Sequence, residues 1–422
     1  MYYKWPQSTT EEYGEPQSEL IFCGPLFFSV HSLWTNIKTE TLLLNQEFYL
    51  HWEEKIIRME NWYTIKNLDE LDSPALVVFP DRVKHNIQLA IKMVGDVNRL
   101  RPHIKTSKSS DVARLMLDAG ITKFKCATIA EAEMLAQCKA PDVLLAYQPL
   151  GPKLNRFISL IKKYPGTKFS CLTDNIAAAE EQANAFSAHK LTVPVFIDLN
   201  VGMNRTGIAP GKEAIELYKH CLTLKGIKVI GLHAYDGHIR DADFETKKIK
   251  CDAAFKTVEA LNEELKLPTI IMGGSPAFSI HCKRENMECS PGTFVYWDKG
   301  YSDLCPEQKF LTAIVLVTRI ISLPDANKIC LDLGHKSVAA ENEISKRVFF
   351  LNADGLKPIS QSEEHLVLET GSNHNFKTGD ILYGLPYHVC PTVALYERAI
   401  TLEDNKVTGE WKTTARDRSI GV

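Results

Sequence analysis

Lys105 is a residue whose type and position together indicate chemistry. It lies near the end of a β-rich run, Leu100–Thr106, in the hexapeptide RPHIKT. A lysine at the end of a buried strand is costly to keep charged, so its pKa is expected to fall toward that of a nucleophilic amine. A surface lysine is the ordinary alternative, and Lys108 is a competitor that position alone does not exclude.

A glycine-containing turn at Gly273, Gly274 and Ser275 has the composition of a phosphate-binding loop. It follows an apolar run, and Pro276 then opens a short helical pattern. Glycines let the backbone approach an anion, and the first N–H groups of a helix have no partner inside the helix. A turn without a ligand is the alternative interpretation of the glycines alone.

His388 and Cys390 form a His-x-Cys pair in the heptapeptide LPYHVCP. If this segment is a strand, residues two apart project from one face, so an imidazole and a thiolate could bind the same metal ion. Two protein ligands are too few for a structural zinc site, so water or substrate would occupy the remaining positions. The alternative is a half-buried strand with an incidental histidine and cysteine.

Three further polar residues follow strand-like runs. His238 ends the pentapeptide AYDGH and could act as a general base, a proton shuttle or a group that orients a metal-bound atom. A histidine at the rim with only structural contacts is the alternative. Asn200 and Arg205 lie in the segment DLNVGMNRTG, where spacing alone assigns them no role.

The segment from about residue 99 to residue 298 alternates between β-rich runs and amphipathic helical runs, which predicts a (β/α)8 barrel. Catalytic groups in this fold cluster at the carboxyl ends of the strands, and phosphate sites lie after strands seven and eight. An open doubly wound sheet is the alternative. The eight predicted strands are Leu100–Thr106, Phe124–Thr128, Val143–Gln148, Lys168–Thr173, Val193–Asn200, Val229–Tyr235, Thr269–Gly273 and Thr293–Trp297.

The remaining chain divides into a leader and a C-terminal domain. Residues 1–58 lack the regular pattern that starts at Met59, so we interpret them as a non-native or poorly ordered leader. Residues 59–300 are predicted to form the barrel, with Ser73–Phe79 adding a strand to either unit. Residues 301–422, which contain strand-like runs such as Lys328–Leu333, are predicted to form a β domain that carries His388 and Cys390.

Composition excludes several classes of partner. The net charge is −3, with no long block of either sign, so neither a nucleic-acid surface nor a membrane-binding surface is expected. The eleven cysteines show no paired framework and no Cys-x-x-Cys, which favours a reducing compartment such as the cytoplasm.

Taken together, the motifs closely resemble those of the D-threonine aldolase and D-serine dehydratase family, whose members are alanine-racemase-like, fold type III pyridoxal-phosphate enzymes. The resemblance covers more than 300 residues from about Asp72. It rests on RPHIKTSK around Lys105, TIAEAEMLA from Thr128, DLNVGMNRTG, GLHAYDGH, GGSP, PGTFVYWD, DLGHKS, SEEH and PYHVCPTV, all in the family's order.

The resemblance implies roles for individual residues. Lys105 would carry pyridoxal 5'-phosphate as a Schiff base, and His388 with Cys390 would bind a divalent metal ion, zinc or manganese. Tyr235 corresponds to an aromatic residue beside the cofactor, and the loop at Gly273 corresponds to a phosphate-binding segment. The family also implies a homodimer. One departure is Ser107, where many relatives have histidine; any role of that histidine is therefore in doubt for this chain.

The resemblance leaves the reaction open among enzymes that act on β-hydroxy D-amino acids. We favour D-threonine aldolase, which produces glycine and acetaldehyde, because the segment PYHVCPTVALY is closer to the aldolases. The alternative is D-serine dehydratase, which produces pyruvate and ammonia and more often has His-x-Cys. An amino-acid racemase would need a second base on the opposite face of the cofactor, and a non-catalytic pyridoxal-phosphate carrier would resemble only the barrel.

Overall fold

The computed structural model describes residues 61–372 and 374–422, so the predicted leader at 1–58 lies outside the described residues. The first strand within the described residues, β1 (Ala75–Val78), belongs to the sheet of the C-terminal domain. Strands then alternate with helices, and the chain after residue 313 is mainly strand. The expected architecture, an α/β barrel followed by a β domain, is confirmed.

Seven parallel strands form the wall of the barrel, and each one pairs with the next in chain order. Most of their residues are buried on both faces, because helices cover the outside and side chains fill the interior. The strands are β2 (Lys123–Cys126), β3 (Asp142–Leu145), β4 (Lys168–Thr173), β5 (Val193–Leu199), β6 (Ile227–Ala234), β7 (Thr269–Met272) and β8 (Glu288–Cys289).

An irregular segment, Leu100–His103, takes the remaining position in the wall. Leu100 bridges Cys289 of β8, and His103 bridges Lys125 of β2, both in parallel orientation. The prediction of a regular strand over 100–106 is therefore wrong. Pro102 has no N–H to donate to a ladder, and a 3-10 turn begins at Ile104.

The eighth predicted strand, Thr293–Trp297, is also wrong. A 3-10 turn spans Thr293–Val295, and the strand lies earlier, at β8. The backbone N–H groups of Gly292 and Thr293 donate to the Ser275 hydroxyl at 3.1 and 3.0 Å, so they are not available to a ladder. The apolar run remains buried, but as a helical turn in the core.

Ten α-helices lie in the described ranges, and most of those around the barrel begin at a side-chain cap. Thr128 accepts from the backbone N–H of Glu131, and Asp243 accepts from that of Thr246. The helices are α1 (Pro80–Val94), α2 (Ser110–Asp118), α3 (Ile129–Gln137), α4 (Pro152–Lys163), α5 (Ile176–Ala188), α6 (Lys212–Cys221), α7 (Phe244–Leu265), α8 (Phe278–His281), α9 (Lys299–Leu304) and α10 (Val389–Val393).

The β domain is a mostly antiparallel sheet in which β1 lies between two C-terminal strands. Val77 pairs with Val315 in antiparallel orientation and with Ile400 in parallel orientation. The C-terminal strands are β9 (Ile314–Asp325), β10 (Lys328–Leu331), β11 (Val348–Phe350), β12 (Lys357–Gln361), β13 (Leu366–Glu369), β14 (Ile381–Pro386), β15 (Arg398–Glu403) and β16 (Lys406–Lys412).

Two global properties of the described ranges bear on the sequence predictions. Their helices include none with the length and apolarity needed to cross a bilayer. Their ten cysteines are all free thiols, and eight of them are buried. Buried free cysteines behave as small apolar side chains, which agrees with their positions inside apolar runs.

Candidate active site

Lys105 lies in the turn that follows the irregular segment, at the mouth of the barrel. Its backbone N–H donates to Nδ1 of His103 at 3.3 Å, and the lysine side chain has no ion pair within the described contacts. Lys108 differs, because its ammonium pairs with the fully buried carboxylate of Glu131. Of the two candidates, Lys105 is the one whose amine is not already committed to a carboxylate.

A cluster of polar side chains inside the barrel adjoins Lys105. Lys125 on β2 is 3% exposed, and its Nζ lies 3.5 Å from Nε2 of His233 on β6. Nδ1 of His233 lies 2.6 Å from Oδ1 of Asp198 on β5, so a neutral imidazole would donate to Asp198 and accept from Lys125. Sequence reasoning missed all three residues.

The pKa values in this cluster show what burial does to it. Burial, followed by the positive charge of Lys105, lowers the pKa of Lys125 to about 7. Burial also lowers the pKa of His233, although the hydrogen bond that its imidazole donates to Asp198 opposes this shift. Burial and the charge of Lys105 hold the pKa of His103 well below its usual range. Both histidines are therefore neutral near pH 7.

Tyr235 follows β6 and lies against two glycines at the barrel mouth. A Cβ at Gly274 would be 2.9 Å from Cε2 of Tyr235, and a Cβ at Gly237 would overlap the same ring. The guanidinium of Arg205 lies 5.0 Å from the ring centroid, which is cation–π distance. Two predicted site residues, Tyr235 and Arg205, are thus brought together, and the ring fits only because both neighbours are glycines.

The loop at Gly273 packs against a second loop, Pro291–Thr293. Gly273 has φ +81°, a conformation that favours glycine, and its carbonyl accepts from the backbone N–H of Ser290 at 3.0 Å. The Ser275 oxygen already accepts two N–H groups, so its own proton remains for a further acceptor. The Ser290 hydroxyl of the second loop is buried and has no hydrogen-bond partner among the described residues.

A buried acid–histidine pair supports this loop from below. Oδ1 of Asp236 accepts from the backbone N–H of Gly274 at 3.4 Å, and Oδ2 lies 2.8 Å from Nε2 of His281. Nε of Arg284 donates to Nδ1 of His281 at 3.2 Å. The chain of contacts fixes the loop, and it also was not found from the sequence.

His388 and Cys390 lie close together, but they do not share a strand. Strand β14 ends at Pro386, and His388 is the N-cap of the short helix α10, so the strand part of the prediction is wrong. Although burial opposes both shifts, the hydrogen bond between the two side chains raises the pKa of His388 to about 9 and lowers that of Cys390. The imidazole of His388 and the thiolate of Cys390 could together bind a metal ion.

The position of Cys390 connects the β domain to the barrel mouth. Its Sγ lies 3.2 Å from Oγ1 of Thr106, the residue after Lys105, and 3.9 Å from Oγ1 of Thr293. His388 contacts the carboxylate of Glu341, an outer partner of the kind that orients a metal-binding imidazole. The His-x-Cys pair therefore adjoins both Lys105 and the loop after β8.

Asp298 holds the turn that carries this pair. Its carboxylate accepts from the backbone N–H groups of Val389 at 2.9 Å and Tyr301 at 2.8 Å. Burial raises the pKa of Asp298 to about 6, against the opposing effect of those two hydrogen bonds. The first turn of α10 is therefore anchored to the barrel side of the site.

Three predicted or questioned residues lie at the edge of this arrangement. Asn200 accepts from Gly202 and Asn204, which folds its own loop. His238 is exposed and packs on Gly202; within the described contacts it has no hydrogen bond to Lys105 or Cys390. Ser107, the departure from the family pattern, is buried and donates to the Ile104 carbonyl at 3.5 Å. The roles of Asn200 and His238 remain predictions.

The residues present fit pyridoxal phosphate. Lys105 supplies an amine without an ion pair in the described contacts, Tyr235 and Arg205 form a stacked pair at the barrel mouth, and the paired loops supply the Ser275 hydroxyl as a donor for an anion. Ser290 is a buried hydroxyl that needs such a partner.

Two family models match the chain in succession. The model described as "Alanine racemase, N-terminal domain" matches residues 78–299, and "Putative serine dehydratase domain" matches residues 313–402. The chain belongs to the alanine-racemase-like, fold type III family of pyridoxal-phosphate enzymes. The resemblance stated from the sequence motifs is thereby confirmed.

The chain matches individual relatives over nearly their whole length. The chain is 25% identical over 370 residues to 3-hydroxy-D-aspartate aldolase of Paracoccus denitrificans (strain Pd 1222), covering 83% of this chain and 93% of that enzyme. It is 26% identical over 364 residues to D-threo-3-hydroxyaspartate dehydratase of Delftia sp. (strain HT23), covering 77% and 93%. The crystal structure of D-threonine aldolase from Filomicrobium marinum matches with TM-score 0.75 and 25% identity, covering 84% of this chain and 98% of that one.

Proposed function

We propose that this chain is a pyridoxal-phosphate-dependent, metal-assisted lyase of β-hydroxy D-amino acids, and that it cleaves D-threonine to glycine and acetaldehyde. The observation that carries the proposal is the contact between Cys390 and Thr106 at 3.2 Å, because it brings the candidate metal pair beside the candidate cofactor lysine. A metal ion near the cofactor suits a reaction at the β-carbon. It would have no purpose in a racemase.

Each group has a chemical task in this proposal. Lys105 would hold pyridoxal phosphate until the substrate amine displaces it, and the cofactor would supply an electron sink for the substrate Cα. His388 and Cys390 would hold a zinc or manganese ion, which supplies Lewis acidity toward the substrate hydroxyl. Glu341 would orient the imidazole of His388 for that purpose.

The side chains of the chain itself would direct the cleavage. Tyr235 and Arg205 bound one side of the site, and Ser275 and Ser290 offer hydroxyls to a phosphate. We keep His238 as the candidate base for the substrate hydroxyl, which requires its exposed ring to turn toward the barrel mouth.

D-serine dehydratase, giving pyruvate and ammonia, is the second candidate function. Cys390 favours it, because a cysteine in the pair is more typical of the dehydratase branch. In that reaction Lys105 would remove the proton from Cα, and a metal ion held by His388 and Cys390 would supply Lewis acidity toward the hydroxyl group that leaves. A non-catalytic carrier is disfavoured, since it would have no use for the metal pair in the β domain.

Product analysis tests the proposal. The protein is incubated with pyridoxal phosphate and, separately, D-threonine, D-serine and D-threo-3-hydroxyaspartate, with and without a chelator. We expect glycine and acetaldehyde from D-threonine and loss of activity with the chelator. Pyruvate from D-serine alone would support the dehydratase, and interconversion of enantiomers or no turnover would overturn both.

Matched variants locate the metal. His388→Ala and Cys390→Ala are expected to reduce bound metal and turnover together, while the cofactor absorbance remains. His365→Ala, an exposed histidine of the same domain, is the control and should retain both. Full activity and metal content in His388→Ala would remove the metal pair from the proposal.

We also propose a homodimer, on the resemblance alone. Light scattering of the purified protein tests it, and a monomeric mass with full activity would contradict it.

A further inference from the structure

Within the part of the chain that the structure describes, Lys125 is a buried cation without a carboxylate partner. Two other buried cations show the usual arrangement: Arg101 pairs with Asp142 at 2.5 Å and Glu288 at 2.6 Å, and Lys247 pairs with Glu307 at 3.0 Å. Lys125 has no ion pair within the described contacts. Its hydrogen bond to Nε2 of His233, at 3.5 Å, leaves two of the three ammonium donors uncommitted.

The two carboxylates nearest Lys125 inside the barrel are already hydrogen-bonded to other groups. Asp198 is engaged by His233, and Asp236 is engaged by His281 and the backbone of Gly274. The charged and titratable groups that influence Lys125 or lie beside it are Arg101, His103 and Lys105 from the irregular segment, Asp198 from β5, and His233 and Asp236 from β6 or the residues after it. The Tyr235 ring, 5.7 Å away, offers only a weak cation–π contact.

The location of Lys125 indicates which kind of ligand would pair with its ammonium group. The lysine is adjacent to Lys105, whose charge is the largest electrostatic influence on it after burial, and it faces the ring of Tyr235. A buried ammonium is costly unless an anion accompanies it. A bound anion at this place would satisfy the free donors and offset the repulsion from Lys105.

We propose that Lys125 is an anion-binding residue of this active site, donating to a negatively charged oxygen on the cofactor ring or on the substrate carboxylate. This inference rests on the proposed function for the identity of the ligand. The two sources share one chemistry, an oxyanion next to Lys105. They differ in when the anion arrives: a cofactor oxygen is present in the resting holoenzyme, and a carboxylate comes with the amino acid.

Spectroscopy of the holoenzyme distinguishes the sources. Lys125→Gln and Lys125→Met remove the charge, Lys125→Arg retains it, and Lys228→Gln, an exposed lysine on β6, is the control. The visible spectrum of the bound cofactor is recorded first without substrate. It is then recorded during titration with D-alanine, which has the carboxylate but no β-hydroxyl to cleave.

The outcomes separate cleanly. If the oxygen belongs to the cofactor, the absorbance maximum and its pH midpoint shift in Lys125→Gln and return in Lys125→Arg. If it belongs to the substrate, the resting spectrum is unchanged and the dissociation constant for D-alanine rises at least tenfold, again recovered by arginine. An unchanged spectrum and a D-alanine affinity within twofold of wild type, in both neutral variants, overturn the inference.

The test does not depend on turnover. If the wild-type protein cleaves none of the β-hydroxy amino acids but the spectral or D-alanine effect is present, the proposed reaction fails and the role of Lys125 stands. Two neutral variants are used so that poor folding of one, detected by circular dichroism, leaves the other to decide.

Discussion

Replacing Lys105 and Lys108 separately should produce opposite results, although the two lysines are three residues apart. Lys105 has no ion pair within the described contacts, so Lys105→Ala should remove the amine that we propose binds the cofactor and leave the fold intact. Lys108→Met leaves the fully buried carboxylate of Glu131 without its cation, and among the described residues the carboxylate then keeps only the hydrogen bond from the backbone N–H of Ala127 at 2.6 Å. We therefore expect loss of cofactor in the first variant and loss of stability in the second.

The magnitude follows from the burial of the pair. Removing one partner of a buried ion pair costs about 3–5 kcal/mol, and the 16% exposure of the Lys108 side chain favours the lower end. An unfolding entropy of about 2.1 cal/mol/K per residue over about 360 residues converts about 3 kcal/mol into a decrease in Tm of about 4 °C. The Tm of the Lys105→Ala apoprotein should lie within about 1 °C of wild type.

Two assays check this pair of predictions. Borohydride reduction of the wild-type holoenzyme, followed by peptide mass spectrometry, should find the cofactor attached to Lys105. Thermal melts of both apoproteins then compare stability. The reasoning is refuted if the reduced label is on Lys108, or if Lys105→Ala retains the visible absorbance of the bound cofactor.

Three further predictions concern other parts of the molecule. Gly226→Ala should lower the free energy of unfolding by about 2–4 kcal/mol in denaturant titration, because φ is +94° and the new Cβ would lie 2.8 Å from the backbone nitrogen of Ser187. Gly95→Ala is the control: φ is +78° and a Cβ there would have no neighbour within 4 Å, so it should cost only about 1 kcal/mol. Equal costs in the two variants would contradict the clash. Ser290→Ala should raise the free energy of unfolding of the apoprotein by about 1 kcal/mol, since it removes an unsatisfied buried hydroxyl. The same variant should bind the cofactor more weakly in equilibrium dialysis. Unchanged affinity would remove Ser290 from the cofactor site. Lys125→Met should stabilise the apoprotein most below pH 7. The pKa of Lys125 is about 7 in the folded state and near 10.5 in the unfolded state, so below pH 7 the folded wild type bears the full cost of a buried charge, and its stability rises as the pH rises from about 7 to 10. A pH-independent difference between the two proteins in denaturant titration would count against a buried charge.

The sequence predicted the barrel where its strands are apolar on both faces. The predicted run Lys168–Thr173 is identical to β4, and the predicted run Thr269–Gly273 extends one residue beyond β7. The pattern failed where an apolar run was too short to distinguish strand from helical turn, as at Thr293–Val295. The strand predicted over Leu100–Thr106 failed for a different reason. Pro102 interrupts the hydrogen-bond ladder in the segment that otherwise closes the barrel wall.

The site was predictable where function has a local sequence pattern. The lysine motif, the glycine loop and the His-x-Cys pair are each contiguous, and all three meet at the barrel mouth. Lys125, His233 and Asp198 lie on separate strands, and their contact depends on the register that sets Asp198 opposite His233. That register is a tertiary property, so a polar residue within a strand gave no sign of facing the barrel interior.

Strand β1 has a consequence for the order in which the protein can be completed. It is synthesised before any part of the barrel, yet its two neighbours are β9 and β15, near the other end of the chain. During synthesis its apolar residues Leu76, Val77 and Val78 must wait unpaired while every barrel element emerges. Among the described strands, the first one synthesised is therefore among the last to pair with its neighbours, so the β domain cannot be completed before the barrel has been made.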